Sequence, residues 1–340
     1  MKLATLVAAA ALVIGGCGNK KSKALPEVSG LAAVPASATA VVVADVARVI
    51  DAPLVERAVD QLLLRDPVLR DRWQGLYNNC KLDARKLKHV ILAIGPHEPQ
   101  AGTGPVIMVV TGQIAENELA SCVRTIVGQG GGQLTAKEIS GRTLYQAKDG
   151  NRTMFFAFGK PDTVILGSNE AYVTEALGTG KKVTDNAALV GWMKLADQSA
   201  PVWAAGQVDE RVRPGLVKLT DGQVKEGPVA MVMSANPAKG LELSIGAVMA
   251  SEADAKTLES FAKTQLGLVA MAAQAKKLGR VVDKVTISAE KQVVRFKAPL
   301  TDEDVNLIIS ALDGGGITAQ DSPPATPGSA STAGAAGPQR

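Results

Sequence analysis

Short runs rich in valine recur along the chain, and segments of helical periodicity lie between them. Three of these runs span 40–46, 106–110 and 293–296, and β-branched residues at this density favour strands. The pair Asp149-Gly150 is a strong signal for a β-hairpin turn. Hairpins join antiparallel strands, whereas strict strand-helix-strand alternation indicates a parallel sheet. The sequence therefore predicts an α+β fold with largely antiparallel sheets and packed helices.

Capping residues mark where several helices begin. Asp51 precedes Pro53, a pattern that predicts an N-cap followed by a proline in the first turn. Asn169 is a second predicted N-cap. Thr301 and Asp304 have the spacing of a capping box, which predicts that the last helix starts there.

The length of the chain allows about two domains. A chain of 340 residues fits domains of about 100 to 200 residues each, and we expect an N-terminal α+β domain at 37–198 and a C-terminal one at 199–313. The segment 104–110, GPVIMVV, is similar to 227–233, GPVAMVM. This similarity favours two sub-domains that are a divergent repeat, but a short valine-rich strand also matches another by chance. Both interpretations stay open.

Composition argues against two classes of binding protein. The formal net charge of +4 at pH 7 is too small to indicate a nucleic-acid partner, which needs many basic contacts to phosphate. Aromatic residues make up only 3% of the chain, whereas proteins that stack sugars or unpaired bases need aromatic faces. The hydrophobic and charged fractions, 46% and 21%, are those of an ordinary globular protein.

The first residues of the chain have the parts of a secretory signal. Lys2 gives a basic start, residues 3–14 are apolar, and the run ends in small residues before Cys17. The apolar run is too short to span a bilayer as a mature helix. We expect a signal peptide over 1–16 with cleavage after Gly16. An ordinary signal peptide or an uncleaved anchor, with Cys17 incidental, is the alternative interpretation.

The segment Ile14-Gly15-Gly16-Cys17 resembles the lipobox of bacterial lipoproteins. The resemblance implies that Cys17 is lipidated, becomes the mature N-terminus and carries several acyl chains, which hold a protein at a membrane stably. Gly18 follows the cysteine where inner-membrane lipoproteins usually have Asp, so the implied destination is the outer membrane, facing the periplasm or the cell exterior. Near its start, the mature part has Pro35-Ala36 and a valine-rich strand that ends in Asp45, which is similar to uncharacterised envelope lipoproteins.

Two segments have the composition of unstructured chain. Residues 17–36 contain Gly, Pro and Ser and no apolar period, which predicts a flexible tether. Residues 314–340 are rich in Gly, Ser, Thr, Ala and Pro and cannot bury enough apolar surface to offset ordering entropy, which predicts a disordered tail.

Two cysteines remain after the lipidated one, Cys80 and Cys122. An oxidising compartment outside the cytoplasm permits a disulfide between them, and an even pair in an exported protein favours one. The alternative is that Cys122, on the apolar stripe of its helix, is a buried small hydrophobe that never meets Cys80.

Patterns that carry catalysis or metal binding are missing from the sequence. His89 and His97 are the only histidines, too few for a zinc site without paired cysteines. The glycines and lysines of 178–182 lack the spacing of a phosphate-binding P-loop. We therefore predict no catalytic residues, no metal site and no cofactor.

The function that these observations favour is a lipid-anchored binding or scaffold protein of the bacterial envelope. Its expected partners are the membrane, through the lipid at Cys17, and an envelope protein; the ligand is not named by the sequence. An envelope hydrolase or transferase, with a site assembled from residues far apart in the sequence, is the alternative.

Overall fold

The structure, a computed structural model, describes residues 27–80, 83–99, 103–275 and 278–314. The predicted signal peptide, Cys17, the start of the predicted tether and nearly all of the predicted tail lie outside these described residues.

Strands and helices are mixed along the described chain. The strands are β1 Ala40–Asp45, β2 Leu87–Ile94, β3 Val106–Gly112, β4 Gln133–Ile139, β5 Arg142–Asp149, β6 Arg152–Lys160, β7 Thr163–Gly167, β8 Val202–Gln207, β9 Ala230–Asn236, β10 Leu241–Val248, β11 Thr286–Glu290 and β12 Val293–Leu300. The helices are α1 Val46–Val49, α2 Pro53–Arg65, α3 Pro67–Cys80, α4 Glu116–Gln129, α5 Glu170–Leu177, α6 Ala187–Met193, α7 Arg213–Lys218, α8 Glu252–Ala275, α9 Gly279–Val282 and α10 Asp302–Gly314.

All the strands belong to one twelve-stranded sheet in the order β11-β12-β10-β9-β8-β1-β2-β3-β7-β6-β5-β4. Every pairing between neighbours is antiparallel. The predicted α+β class with antiparallel strands is therefore confirmed. We call β1–β7 the N-terminal wing of the sheet and β8–β12 the C-terminal wing; the two wings meet where β1 pairs with β8.

The predicted repeat is not confirmed. The similar segments 104–110 and 227–233 lead into or form β3 and β9, and β9 lies next to β8 whereas β2 separates β3 from β1. The two segments therefore occupy different positions within their wings. The sheet also runs without a break across the predicted boundary at 198/199, so it gives no support for a division there.

Side chains alternate between two faces of the sheet, and each face has its own helices. On the first, which we call the α5 face, α5 and α6 cover a core that includes the fully buried Ile107, Leu144 and Ile165. On the other, the α8 face, α4 covers the N-terminal wing and α8 the C-terminal wing. Full burial of each such aliphatic side chain stabilises by about 2 kcal/mol.

The prediction of a flexible tether does not hold for residues 28–36. Val28, Ala33 and Val34 are buried in the core of the α5 face, and the backbone N–H of Val28 donates to the carbonyl of Gly159 at 3.2 Å. A side chain at Gly159 would collide with the Val28 carbonyl, so this glycine admits the segment. The buried apolar residues of this segment follow neither a helical nor a strand spacing. Periodicity therefore could not identify them as core residues.

Local capping signals were good predictors, with one exception. Asn169 accepts the backbone N–H of Tyr172 at 3.0 Å, and Thr301 and Asp304 bond each other's backbone N–H groups as a capping box. Asp51 was predicted wrongly, because Ala52 holds the N-cap position of α2 without a side-chain bond. Asp51 instead pairs with Arg85 at 3.3 Å on the surface.

Among the described residues, no helix is both long enough and apolar enough to cross a membrane.

Candidate functional site

The α5 face of the C-terminal wing contains an open cleft of about 730 Å³. Strands β9, β10, β12 and β11 form its floor, and the segment 195–200 between α6 and β8 forms one wall. Arg48, which follows β1, stands at its rim. This volume lies in the range of small-ligand sites, about 300 to 1,000 Å³.

Polar side chains form two rows across the floor. In the first row, Ser234, Ser244, Lys297 and Thr286 are direct partners on successive strands. Partners that lie directly opposite in an antiparallel pair point to the same face. The first row therefore carries three hydroxyls and one ammonium.

A second row of direct partners, Gly246, Arg295 and Ser288, lies next to the first, and Arg295 is its residue that lines the cleft. Arg295 and Lys297 are two positions apart on β12, so they project from the same face about 7 Å apart along the strand. Gly246 lies beside Arg295, and a side chain there would come within 2.7 Å of Val232 Cγ2.

The wall of the cleft is fixed by three hydrogen bonds. Arg295 Nη2 donates to the Leu195 carbonyl at 2.9 Å, and Arg48 Nη1 donates to the Ser199 carbonyl at 2.9 Å. The backbone N–H of Asp197 donates to Ser234 Oγ at 2.7 Å. The wall is thus held from the floor and from the rim without any ligand.

The two acidic groups of the cleft already have partners. Asp197 accepts from the hydroxyl of Ser199 at 2.6 Å and from its backbone N–H at 2.9 Å, and these bonds hold the pKa of the Asp197 carboxyl below its ordinary value. Glu242 accepts from Asn236 Nδ2 at 3.4 Å.

The basic and hydroxyl side chains of the floor have fewer hydrogen-bond partners than the two acidic groups. Across the described parts of the chain, the side chains of Lys297, Ser244 and Thr286 make no hydrogen bond or ion pair. Lys297 and Thr286 are exposed. Arg295 uses one of its five N–H donors on the wall. The cleft therefore offers more donors than acceptors, which suits the binding of oxygen-rich polar groups.

The two cysteines predicted as a pair are joined in the structure. Cys80, the last residue of α3, and Cys122, on α4, form a disulfide with a Cα–Cα distance of 5.2 Å. Cys122 is also buried, as the alternative expected. The bond ties α3 to α4, beside a second open pocket of about 670 Å³ that both cysteines help to line.

The other sequence expectations concern residues with no common site. Gly16 and Cys17 lie outside the described residues. His89 is an exposed strand residue, and His97 contacts Arg211. Within the described ranges, no three His, Cys, Asp or Glu side chains come together as metal ligands.

Sequence reasoning missed the cleft altogether. Strand β12 alternates Arg295 and Lys297 with the apolar Val294, Phe296 and Ala298, a signal for one polar face. An ordinary solvent-facing strand has the same pattern. The wall and Arg48, which turn that face into a cleft, come from segments far away in the sequence.

Comparison with known proteins gives a distant structural likeness. No protein-family model and no curated protein matches the chain. Among solved structures, the chain is similar to TP0453 in its crystal form I, with 11% sequence identity, a TM-score of 0.44, and coverage of 85% of this chain and 99% of that one. A likeness of this extent carries no functional assignment.

Proposed function

We propose that this chain is a lipid-anchored binding or scaffold protein of the bacterial envelope, held at the outer membrane and facing the periplasm or the cell exterior. The anchor is the lipid expected on Cys17 of the Ile14-Gly15-Gly16-Cys17 segment. The observation that carries the binding role is the open cleft on the α5 face of the C-terminal wing.

The cleft supports binding because its shape exists before any ligand arrives. Hydrogen bonds from Arg295 and Arg48 hold the wall against the floor, so little conformational entropy is lost when a ligand enters. Its donors face an accessible space. A ligand or an envelope component can therefore bind to the hydrogen-bond donors of the cleft that have no partner within the described chain.

The anchor is tested by membrane fractionation and by mass spectrometry of the N-terminal peptide. The wild-type protein is expected in the membrane fraction with an acylated Cys17, and Cys17→Ser in the soluble fraction without acylation. The matched control, Ser22→Ala, changes a nearby residue outside the Ile14-Gly15-Gly16-Cys17 segment and should stay in the membrane fraction. A Cys17→Ser protein that remains membrane-bound would contradict the anchor.

The binding role is tested by photo-crosslinking in intact cells. A photoreactive residue at Ser288, which is exposed on the same face beside Arg295 at the edge of the cleft, is expected to capture a reproducible component. The control position is Lys148 on β5, which is also exposed and, by the alternation from Leu144, lies on the same face in the other wing. Equal capture at both positions, or capture at neither, would contradict a binding role for the cleft.

A further inference from the structure

We propose that the cleft binds the oxyanion of its ligand, a carboxylate or a phosphate group, between Lys297 and Arg295. This inference rests on the proposed function, because it names the chemistry that the same cleft would recognise.

Lys297 is the centre of the proposed oxyanion site. Ser244 on β10 and Thr286 on β11 are its direct neighbours in the sheet, and side chains in such positions have Cβ atoms about 5 Å apart. An ammonium group with a hydroxyl on each side is a set of neighbouring donors on one face of the floor. None of the three has a hydrogen-bond partner elsewhere in the described chain, so their donors are available to an oxyanion.

Arg295 adds a second positive charge to the same face of β12, two residues from Lys297. Its guanidinium donates one N–H to the Leu195 carbonyl, which orients the group, and its remaining donors are available to a ligand. On one side the neighbouring position is Gly246, so no side chain stands between the guanidinium and the space above β10. Charge-assisted bonds from two such cations are stronger than bonds between neutral groups.

The charges present favour an anion over a cation. Asp197 is bonded to Ser199, and Glu242 lies a row away, opposite Pro299 and bonded to Asn236. Arg48 contributes a further positive charge at the rim. A cationic ligand at the position of Lys297 would meet two positive groups and no unpaired carboxylate.

The oxyanion site is tested by isothermal titration calorimetry of the full-length protein, purified in detergent at low ionic strength. The probes are inorganic phosphate and citrate, which separate a phosphate site from a carboxylate site. We expect at least one probe to bind the wild type and Lys297→Gln to weaken that binding about tenfold, the equivalent of one charge-assisted bond. Lys148→Gln, the matched loss of an exposed strand lysine, should leave it unchanged.

Three outcomes decide the proposal. Binding that weakens in Lys297→Gln and not in Lys148→Gln supports it, and the probe that binds identifies the oxyanion. No binding of either probe overturns it, as does binding that both variants retain equally. Folding of each variant is checked by circular dichroism, and Lys297 is exposed and unbonded, so its loss should not unfold the protein.

The crosslinking experiment at Ser288 separates this inference from the proposed function. If capture in cells occurs but persists in Lys297→Gln and against excess phosphate and citrate, the cleft binds a ligand and the oxyanion assignment is wrong. If the probes bind as expected but nothing is captured in cells, the site has the proposed chemistry and the envelope binding role is wrong.

Discussion

The α5 face of the sheet is covered by helices in the N-terminal wing and partly open in the C-terminal wing. In the N-terminal wing, the α5 face presents Ile107, Leu144 and Ile165, and helix α5 packs against it. In the C-terminal wing, Val232 and Val248 continue this core, but the same face also presents Ser244 and Lys297 and is open at the cleft. The difference teaches that one face of a continuous antiparallel sheet can be apolar core over most of its width and open polar surface over the rest.

The helix that directly follows the final strand of each wing explains how the difference in burial arises. Both α5 and α10 follow the final strand of their wing, but α5 packs on the α5 face whereas α10 packs beside α9 on the opposite one. Strand β12 places Phe296 and Ala298 on the α8 face and Lys297 on the other. The apolar stripe of α10 therefore has a partner only on the α8 face.

The wings also differ in how their helices are fastened. In the N-terminal wing, a covalent bond between Cys80 and Cys122 ties α3 to α4. In the C-terminal wing, the buried Asp304 of α10 bonds Lys284 and lies 3.5 Å from Arg280 of α9. Covalent fastening responds to reductant, and ionic fastening responds to pH.

Reduction of the disulfide is expected to have the largest effect on stability. The two cysteines are separated by 42 positions, and opening a loop of this size costs about 4 kcal/mol in the chain-entropy description. Urea unfolding with and without reductant measures the change. The double variant Cys80→Ala/Cys122→Ala should not respond to reductant. If both Cys80 and Cys122 label as free thiols without reductant in the native protein, α3 and α4 are not joined by this disulfide.

Leu144→Ala should cost about 3 kcal/mol, because it removes a fully buried side chain and leaves a cavity. On the same face of the other wing, Ser288→Ala removes an exposed hydroxyl and should change the free energy of unfolding by less than about 0.5 kcal/mol. The pair is compared by urea unfolding. Similar costs at the two positions would mean that both halves of the face are packed, and the contrast between the wings would fail.

Asp304→Asn is expected to cost about 2 kcal/mol at neutral pH. Hydrogen bonding from Lys284, and then from the Thr301 backbone, lowers the pKa of the Asp304 carboxyl to about 2, against about 3.9 in an unfolded chain. Since the folded pKa is the lower one, the stabilisation is complete above about pH 5 and is lost as the pH falls toward 2.

The matched control for Asp304 is its neighbour Glu303, whose side chain is 81% exposed and 3.6 Å from Arg280. Glu303→Gln should cost less than about 0.5 kcal/mol, because exposed ion pairs contribute little. The measurement is urea unfolding of both variants from pH 7 to pH 2. If Asp304→Asn and the wild type lose stability in parallel on acidification, the ionic fastening of the C-terminal wing is wrong.

Lys297→Val should have the smallest effect on stability, less than about 0.5 kcal/mol in either direction. The lysine is exposed and has no bonded partner in the described residues, and valine suits a strand. Thermal unfolding measures the change. A loss of more than about 1 kcal/mol in the free energy of unfolding would show that Lys297 stabilises the fold. The lysine would then have a structural role, which would count against a surface available to a ligand.

Signals that act over a few residues were sufficient to predict much of the fold. The strand at 40–46, the hairpin turn at Asp149-Gly150 and the caps at Asn169 and Thr301 all appear in the structure, because turns and caps depend on the backbone nearby. Asp51 shows the limit of such reasoning, since its surface pair with Arg85 comes from a distant segment.

The candidate site could be predicted only in part. The alternation of β12 shows that Arg295 and Lys297 share a face, but the same alternation describes any solvent-exposed strand. These residues line a cleft because the segment 195–200 forms a wall beside them and Arg48 lies at the rim. These groups meet through the order of strands in the sheet, which periodicity does not encode.

The sequence by itself determined the antiparallel α+β class, the positions of several strands and caps, and the expectation of a lipid anchor at Cys17, because each depends on neighbouring residues. Only the tertiary structure decided that both wings form one sheet, that residues 28–36 join the core, and that α10 leaves the α5 face open. The physical reason is that a helix packs on whichever face offers apolar side chains, and that face is built by strands from distant parts of the chain.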